Sequence, residues 1–338
     1  MGRLTRAVPP EVVHVADVTA AQPHPDELEA HRVQLTGYCY RMLGSPFEAE
    51  DAVQETLVRA WRALDRFEGR AALRSWLFHI ATNVCFDLLK GRGRRARPID
   101  LGPAWDGSAL NPPLAESTWV EPTPDARVLP GGGGDPADEA IARETVRLAF
   151  VAALQHLPPR QRAVLILREV LRWKASEVAE LLGTSSASVN SALQRARATL
   201  DDLGLTDSSD LQPLDATQRS LVARYCDAFE RYDLDALVAL LHEDATQSMP
   251  PYDMWVRGPA RMREWWSGPG IECQGSRLLP TAANGSPAFG QYRPSGPGGR
   301  HEPWSLHVLE FRGDRLIRLN FFLDVDRLFP LFGLPPHL

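Results

Sequence analysis

Residues Leu73–Arg95 read LRSWLFHIATNVCFDLLKGRGRR, and their spacing organises the reading of the whole chain. Leu73, Trp76, Leu77, Ile80, Ala81, Val84 and Leu88 recur at i, i+3, i+4 and i+7, the pattern of a helix with one buried face. Arg74, Asn83 and Lys90 fall off that stripe. A basic run of Lys90, Arg92, Arg94, Arg95 and Arg97 continues past the helix end. Taken alone, such a run solvates a linker or complements the helix dipole. Upstream, Asp26 and Glu29 form a capping-box pattern, and Leu28, Leu35, Cys39 and Met42 share a face that ends at Gly44. Ser45-Pro46-Phe47-Glu48 then restarts the chain with a cap and an N-terminal proline. The next inward face is Ala49, Val53, Leu57, Ala60 and Trp61, and Phe67-Glu68-Gly69-Arg70 breaks it. Residues 26–91 therefore read as an all-helical unit behind a flexible N-terminus, 1–25.

Downstream, residues 92–135 lose periodicity and fill with Pro and Gly, the composition of a mobile linker. Within it, Ser117-Thr118-Trp119-Val120-Glu121-Pro122 is too apolar for a spacer, and its tryptophan predicts docking. Residues 136–205 form a second helical unit. Ile141, Val146, Phe150, Ala153 and Leu154 make one helix, Pro158-Pro159 ends it, and a helix with Val164, Leu165 and Leu167 follows. Ser176 is read as the cap of a short helix with Val178, Ala179, Leu181 and Leu182, ended by Gly183. Thr184-Ser185-Ser186 caps another, with Val189, Leu193, Ala196 and Leu200 inward, a helix-turn-helix pattern. After a short linker at 206–214, residues 215–338 read as helices followed by strands at Ser286–Arg293, Trp304–Phe311 and Leu316–Leu323. The last two strands join through Arg312-Gly313-Asp314, a hairpin signal. The fold class is thus two all-α units plus one α+β unit.

The 338 residues carry a formal net charge of −6. An acidic chain lacks the general attraction to phosphate that drives non-specific DNA binding, so any DNA reading relies on local basic stretches or on a partner's grip. Cys39, Cys85, Cys226 and Cys273 are far apart with no C-x-x-C pairing, as expected of buried thiols. His242, His301 and His307 show no metal-ligand spacing, so neither metal nor cofactor is expected. No apolar run is long enough for a membrane span, and the start lacks a secretory signal's apolar core. The expectation is a cytoplasmic protein.

Three stretches together resemble the extracytoplasmic-function branch of the sigma-70 family. Leu73–Arg95, with Phe67–Ala71 before it, resembles region 2. AEDAVQETLVRAW (Ala49–Trp61) resembles that region's polymerase-binding helix. ALQHLPPRQRAVLILREVLRWKASEVAELLGTSSASVNSALQRARATL (Ala153–Leu200) resembles region 4. The match covers both helical units in order, which is more specific than a lone helix-turn-helix. It implies a sigma factor that joins core RNA polymerase through β′ and β, reads the −35 and −10 elements of promoter DNA, and promotes opening. Asp51, Gln54, Glu55 and Arg59, otherwise an ordinary solvated face, would then meet a β′ coiled coil.

Phe67, Gly69, Arg70, Arg74, Asn83, Lys90, Arg92 and Arg94 would hold the non-template strand, with a base extruded into the 67–71 loop; capture of a single strand favours the melted state. Ser186, Ser188, Asn190, Ser191, Gln194, Arg195 and Arg197 would face the −35 element, since Asn and Gln pair with adenine and Arg with guanine. That face is less basic than usual for the family, so its affinity is expected to be modest. Ser186 is also a candidate N-cap.

The C-terminal unit resembles the SnoaL-like, NTF2-like cone at lower specificity, carried by YCDAFERYDLDALVALLHEDATQSMPPYDMWVRGPARMREWW (Tyr225–Trp266) and the final strand pair. Tyr252, Asp253, Trp255, Arg257, Trp304 and His307 are candidate cup residues, and Trp119 and Pro122 belong to a linker motif that accompanies such extensions. The cup is expected to take a small molecule or an intramolecular ligand, and the cone to regulate the helical units in cis. The tail Leu328–Phe332 either joins that control or closes the core. An Asp with a His can transfer protons, but fold alone gives no chemistry. A cone-type isomerase or hydrolase fused to a DNA-binding module, and a stand-alone helix-turn-helix regulator, are the alternatives.

Overall fold

The computed structural model describes residues 25–67, 72–129, 131, 135–203 and 216–338. The first unit comprises α1 (Pro25–Glu29), α2 (Arg32–Leu43), α3 (Pro46–Ala63) and α4 (Leu73–Leu89). Its boundaries follow local chemistry. Gly44 ends α2 in the left-handed region at φ 74°, and the Ser45 hydroxyl accepts from the Glu48 amide at 3.4 Å to start α3. Leu28, Leu35, Cys39, Met42, Ala49, Val53, Leu77, Ala81 and Val84 are buried as their spacing predicts. Trp61 is a correction, because it is 63% exposed rather than inward. It sits three residues past Val58, also exposed, on the outer face of α3.

The 92–129 segment has little regular structure apart from α5 (Asp125–Val128), in keeping with its composition, yet it is packed rather than free. Trp119, Val120, Glu121 and Thr123 are buried. The second unit begins with α6 (Pro136–Glu144) and α7 (Leu148–Leu154), where the sequence predicted a single helix. The break has a physical cause. The buried Arg41 guanidinium donates to the Ala142 and Thr145 carbonyls at 3.0 Å, taking acceptors at the end of α6. Then come α8 (Pro159–Leu165), extended by a π turn over Ile166–Val170, α9 (Ala175–Leu181) and α10 (Ser186–Asp202). Two caps differ from expectation. Lys174, not Ser176, precedes α9, and Ser185, not Ser186, caps α10, its hydroxyl accepting from the Ser188 amide at 3.2 Å.

The third unit is α11 (Ala216–Glu230), α12 (Leu234–Ala239), β1 (Leu241–Ser248), β2 (Trp255–Arg257), α13 (Pro259–Ser267), β3 (Arg277–Ala283), β4 (Ser286–Arg293), β5 (Glu302–Arg312), β6 (Arg315–Phe322) and α14 (Val325–Leu331). One six-stranded sheet has the order β2-β1-β6-β5-β4-β3, antiparallel except for β1 beside β6. Alternation along its strands divides the core. Phe289, Leu309, Leu319 and Phe321 face a concave side packed by α11 to α13. Ala288, Tyr292, Leu306, Val308 and Phe322 face the other way and share one apolar cluster with both helical units. Leu328 and Phe329 of α14 belong to that second cluster, so the apolar tail closes the interface between cone and helical units.

Candidate promoter interface and regulatory cone

On α3, Asp51, Gln54, Glu55 and Arg59 are all exposed, and Arg59 and Glu55 pair at 2.6 Å. With Trp61 and Val58 beside them, the face combines an apolar centre with charged edges, the composition of a protein-binding patch. Sequence periodicity hid Trp61, because i+4 from Leu57 lies at the margin of the buried stripe.

Helix α4 meets the second unit through Arg74 and His79. The Arg74 guanidinium lies 5.3 Å from the Trp173 ring centroid and 5.5 Å from that of Phe78. His79 Nδ1 contacts the Leu181 carbonyl at 2.9 Å, so it carries the proton. Nε2 then accepts from the Asn83 amide at 3.2 Å. Phe67 packs on Trp76 with centroids 5.0 Å apart. Gly69 and Arg70 lie outside the described residues.

The basic run is paired within the chain, although Lys90, Arg92 and Arg94 stay exposed. Lys90 pairs with Asp87 at 2.7 Å, Arg92 with Glu48, and Arg94 with His156. Arg97 holds Asp100 at 3.0 Å, and Arg95 is buried on the Trp119 carbonyl at 2.6 Å and Glu48 at 2.9 Å. At Lys90 and Arg92 phosphate would compete only with exposed ion pairs, which are weak, whereas Arg95 is committed.

On α10, by contrast, Ser186, Ser188, Asn190, Ser191, Gln194, Arg195 and Arg197 are all exposed along one face. Arg197 is paired with Glu169 at 2.6 Å. The −35-type face is thus open, while on α4 Arg74 is half-buried against the second unit and His79 and Asn83 stay exposed.

Two latches tie the cone to the helical units; sequence reading flagged the linker patch that contains one of them and missed the other. The β3–β4 turn, Asn284-Gly285, has φ of 55° and 69° and reaches between the units. The Asn284 amide donates to the Tyr40 hydroxyl at 2.6 Å and the Val146 carbonyl at 2.7 Å, and its oxygen accepts from the Thr123 amide at 2.9 Å. The Gly285 amide donates to Asp125 at 2.7 Å. The Asn-Gly dipeptide was the available signal. The second latch is Glu121, which meets Arg327 of α14 at 3.1 Å and Arg95 at 3.5 Å, while the Arg327 guanidinium lies 4.0 Å over the Phe47 ring. Burial raises the Glu121 carboxyl above its ordinary range despite both arginines. Trp119 and Pro122 flank that residue, so the docking expected of the motif centres on Glu121.

The predicted cup residues divide. Tyr252 and Trp304 line the cavity on the concave face. Asp253 accepts from Asn111 at 2.9 Å, and the Trp255 indole donates to the Gly102 carbonyl at 2.9 Å, so both hold the linker. Arg257 forms an exposed pair with Asp244 at 2.8 Å. His307 is fully buried, bonded to Tyr225 at 2.9 Å and Gln291 at 3.0 Å, and burial pulls its pKa down to about 3. Asp253 and His307 therefore have separate partners and form no acid–base pair. Among the described residues, no cluster of His, Cys, Asp or Glu could hold a metal, and no helix is long and apolar enough to cross a membrane.

Two helical DNA-reading units joined to a cone define a multidomain transcription factor. Family models agree unit by unit: Sigma-70 region 2 matches residues 28–95, Sigma-70 region 4 matches 147–200, and a SnoaL-like domain matches 222–319. The ECF RNA polymerase sigma factor SigG of Mycobacterium tuberculosis is 46% identical over 314 residues, 92% of this chain and 83% of that one. SigJ of the same species is 31% identical over 220 residues, 65% of this chain and 62% of its own. The SigJ crystal structure superposes with a TM-score of 0.59 at 24% identity, covering 92% of this chain and 100% of that one, which supports the fold. The chain belongs to the extracytoplasmic-function branch of the sigma-70 family. It is an RNA polymerase sigma factor with a C-terminal SnoaL-like domain, binding core polymerase and promoter DNA and acting in transcription initiation; it is not an enzyme.

Proposed function

We propose that the chain starts transcription through three surfaces and is restrained by its own cone. Asp51, Gln54, Glu55 and Arg59, with Trp61, engage β′, and the second helical unit reaches β. Phe67, Gly69, Arg70, Arg74, Asn83, Lys90, Arg92 and Arg94 hold the −10 strand. Ser186, Ser188, Asn190, Ser191, Gln194, Arg195 and Arg197 read the −35 element. The observation that carries the restraint is the contact of α4 with the second unit, Arg74 on Trp173 and His79 on Leu181, while the reading face of α10 stays open. In this arrangement duplex contact at −35 can precede strand capture, and opening requires the two helical units to part. The Asn284 and Glu121 latches set the cost of that parting.

The test is promoter opening by reconstituted holoenzyme, read from 2-aminopurine fluorescence at −10. Lys90→Ala and Asn83→Ala should reduce opening while leaving polymerase binding unchanged. Full opening by both variants would refute the assignment.

A further inference from the structure

The concave face of the cone encloses a cavity of about 200 Å³ walled by Phe229, Trp265, Trp266, Trp304 and Phe321. That is smaller than the roughly 300–1,000 Å³ of sites for drug-sized ligands, which limits an occupant to one or two rings. Of the titratable groups on its wall, Glu272 is paired with Arg293 at 3.0 Å and burial pushes the Cys273 thiol upward. His307 is not a wall residue and is neutral, shared between Tyr225 and Gln291.

Two donors are left over. An indole N–H can only donate, so the Gln247 atom 2.8 Å from Trp266 Nε1 is its carbonyl oxygen. The Gln247 amide nitrogen, on a residue 1% exposed, then has no partner among the described residues. Arg293 Nε is likewise buried without one, its guanidinium lying 3.9 Å over Trp304 and donating to Glu272 at 3.0 Å. Buried donors without acceptors are costly, and an acceptor on a ligand removes the cost.

The roof comes from outside the cone. Leu110 of the linker lines the same cavity, on a strap pinned across the mouth. The Trp105 amide donates to the Trp255 carbonyl at 2.7 Å, Asn111 to Asp253 at 2.9 Å, and the Leu114 amide to the Pro251 carbonyl at 2.8 Å. The Trp105 ring also stands edge-on to Trp265, a cavity wall, with centroids 5.2 Å apart. The strap leads directly into Trp119 and Glu121.

We infer that the cup binds a flat, mostly apolar molecule of one or two rings bearing an oxygen acceptor, either carbonyl, phenolate or carboxylate. Its binding and the seating of the linker strap are one event. The ligand thereby biases the restraint described above, and this step rests on that reading.

The test titrates 1-naphthoate into the full chain by calorimetry, with 1-naphthylmethylammonium as a control of similar shape that lacks the acceptor. Saturable binding of naphthoate is expected, at least about tenfold tighter than the amine, the worth of one good hydrogen bond. Gln247→Leu should weaken it by a similar factor. Gln247→Glu, which keeps an acceptor for Trp266 but loses the donor, should abolish it without unfolding the chain. Naphthoate should also slow amide exchange across 105–114 several-fold. Absence of saturation at millimolar concentration, equal affinity for the amine, or unaltered exchange in the strap would each overturn the inference. Transcription without naphthoate is measured separately, and its presence or absence bears on the proposed function alone.

Discussion

Asn284 offers the sharpest perturbation of the closed arrangement. It is fully buried, at φ 55°, and its side chain makes three hydrogen bonds, to Tyr40, Val146 and Thr123, which belong to three different parts of the chain. Asn284→Gly deletes all three while keeping a residue that tolerates the left-handed backbone. Tyr40 still donates to the Glu121 carbonyl at 2.8 Å, so its hydroxyl is not orphaned. The Thr123 amide, however, loses its side-chain acceptor in a buried setting. Hydrogen bonds worth about 1 kcal/mol each, part of it the penalty for a stranded N–H, give a loss of about 3 kcal/mol. At 1.4 kcal/mol per power of ten, the latch should open about 100-fold more often. Hydrogen exchange reads rare opening directly. The amides of 119–124 and 283–286 should exchange about 100-fold faster in the variant, while those in the middle of α10 stay as they are. Unchanged protection at 119–124 in a folded variant would refute the latch. Acceleration everywhere would show general destabilisation instead.

Trp61→Ala should weaken core polymerase binding by about 2 kcal/mol, some 30-fold, with an unchanged melting temperature because the ring is exposed; fluorescence anisotropy with labelled core checks it. Arg195→Ala and Gln194→Ala should each cost about 1–3 kcal/mol on promoters with an intact −35 element and little on promoters lacking it, as footprinting by holoenzyme would record. His307 contributes a pH dependence. Its folded pKa near 3 lies below the ordinary 6.5, so the stability it confers is present above about pH 6.5 and is lost as pH falls toward 3. The slope is about 1.4 kcal/mol per pH unit within that window. Thermal unfolding should show it, His307→Gln should flatten it, and identical slopes would contradict the burial argument.

The helical units were legible because their information is local. Buried stripes at Leu73–Leu88 and Val189–Leu200, a proline at the start of α3, and glycines at 44 and 183 act within a turn or two of where they stand. The cone was only partly legible. β4, β5 and β6 show alternation, whereas β1 owes its place to Leu316–Asn320, distant in sequence, and β3, with Pro280 in its middle, is set by the hairpin with Ser286–Tyr292 across Asn284-Gly285. Trp61 was misplaced because periodicity cannot tell an exposed aromatic at the edge of a stripe from a core one. Arg95 looked like part of a DNA-facing run, and its burial depends on Glu121, 26 residues on. Asn284 carried a turn signal in plain view, but its second role, holding Tyr40 and Val146, exists only once three units meet. The same holds for Asp253 and His307, a plausible pair in one dimension with different partners in three.

Run-off transcription with core polymerase tests the central claim most directly, comparing the full chain with an unlatched Asn284→Gly/Arg327→Ala version on the same promoter fragment. The account predicts a promoter-specific transcript that depends on the chain and increases when the latches are cut. Equal output from the two proteins would contradict restraint by the cone, and no transcript from either would contradict the promoter-reading surfaces themselves.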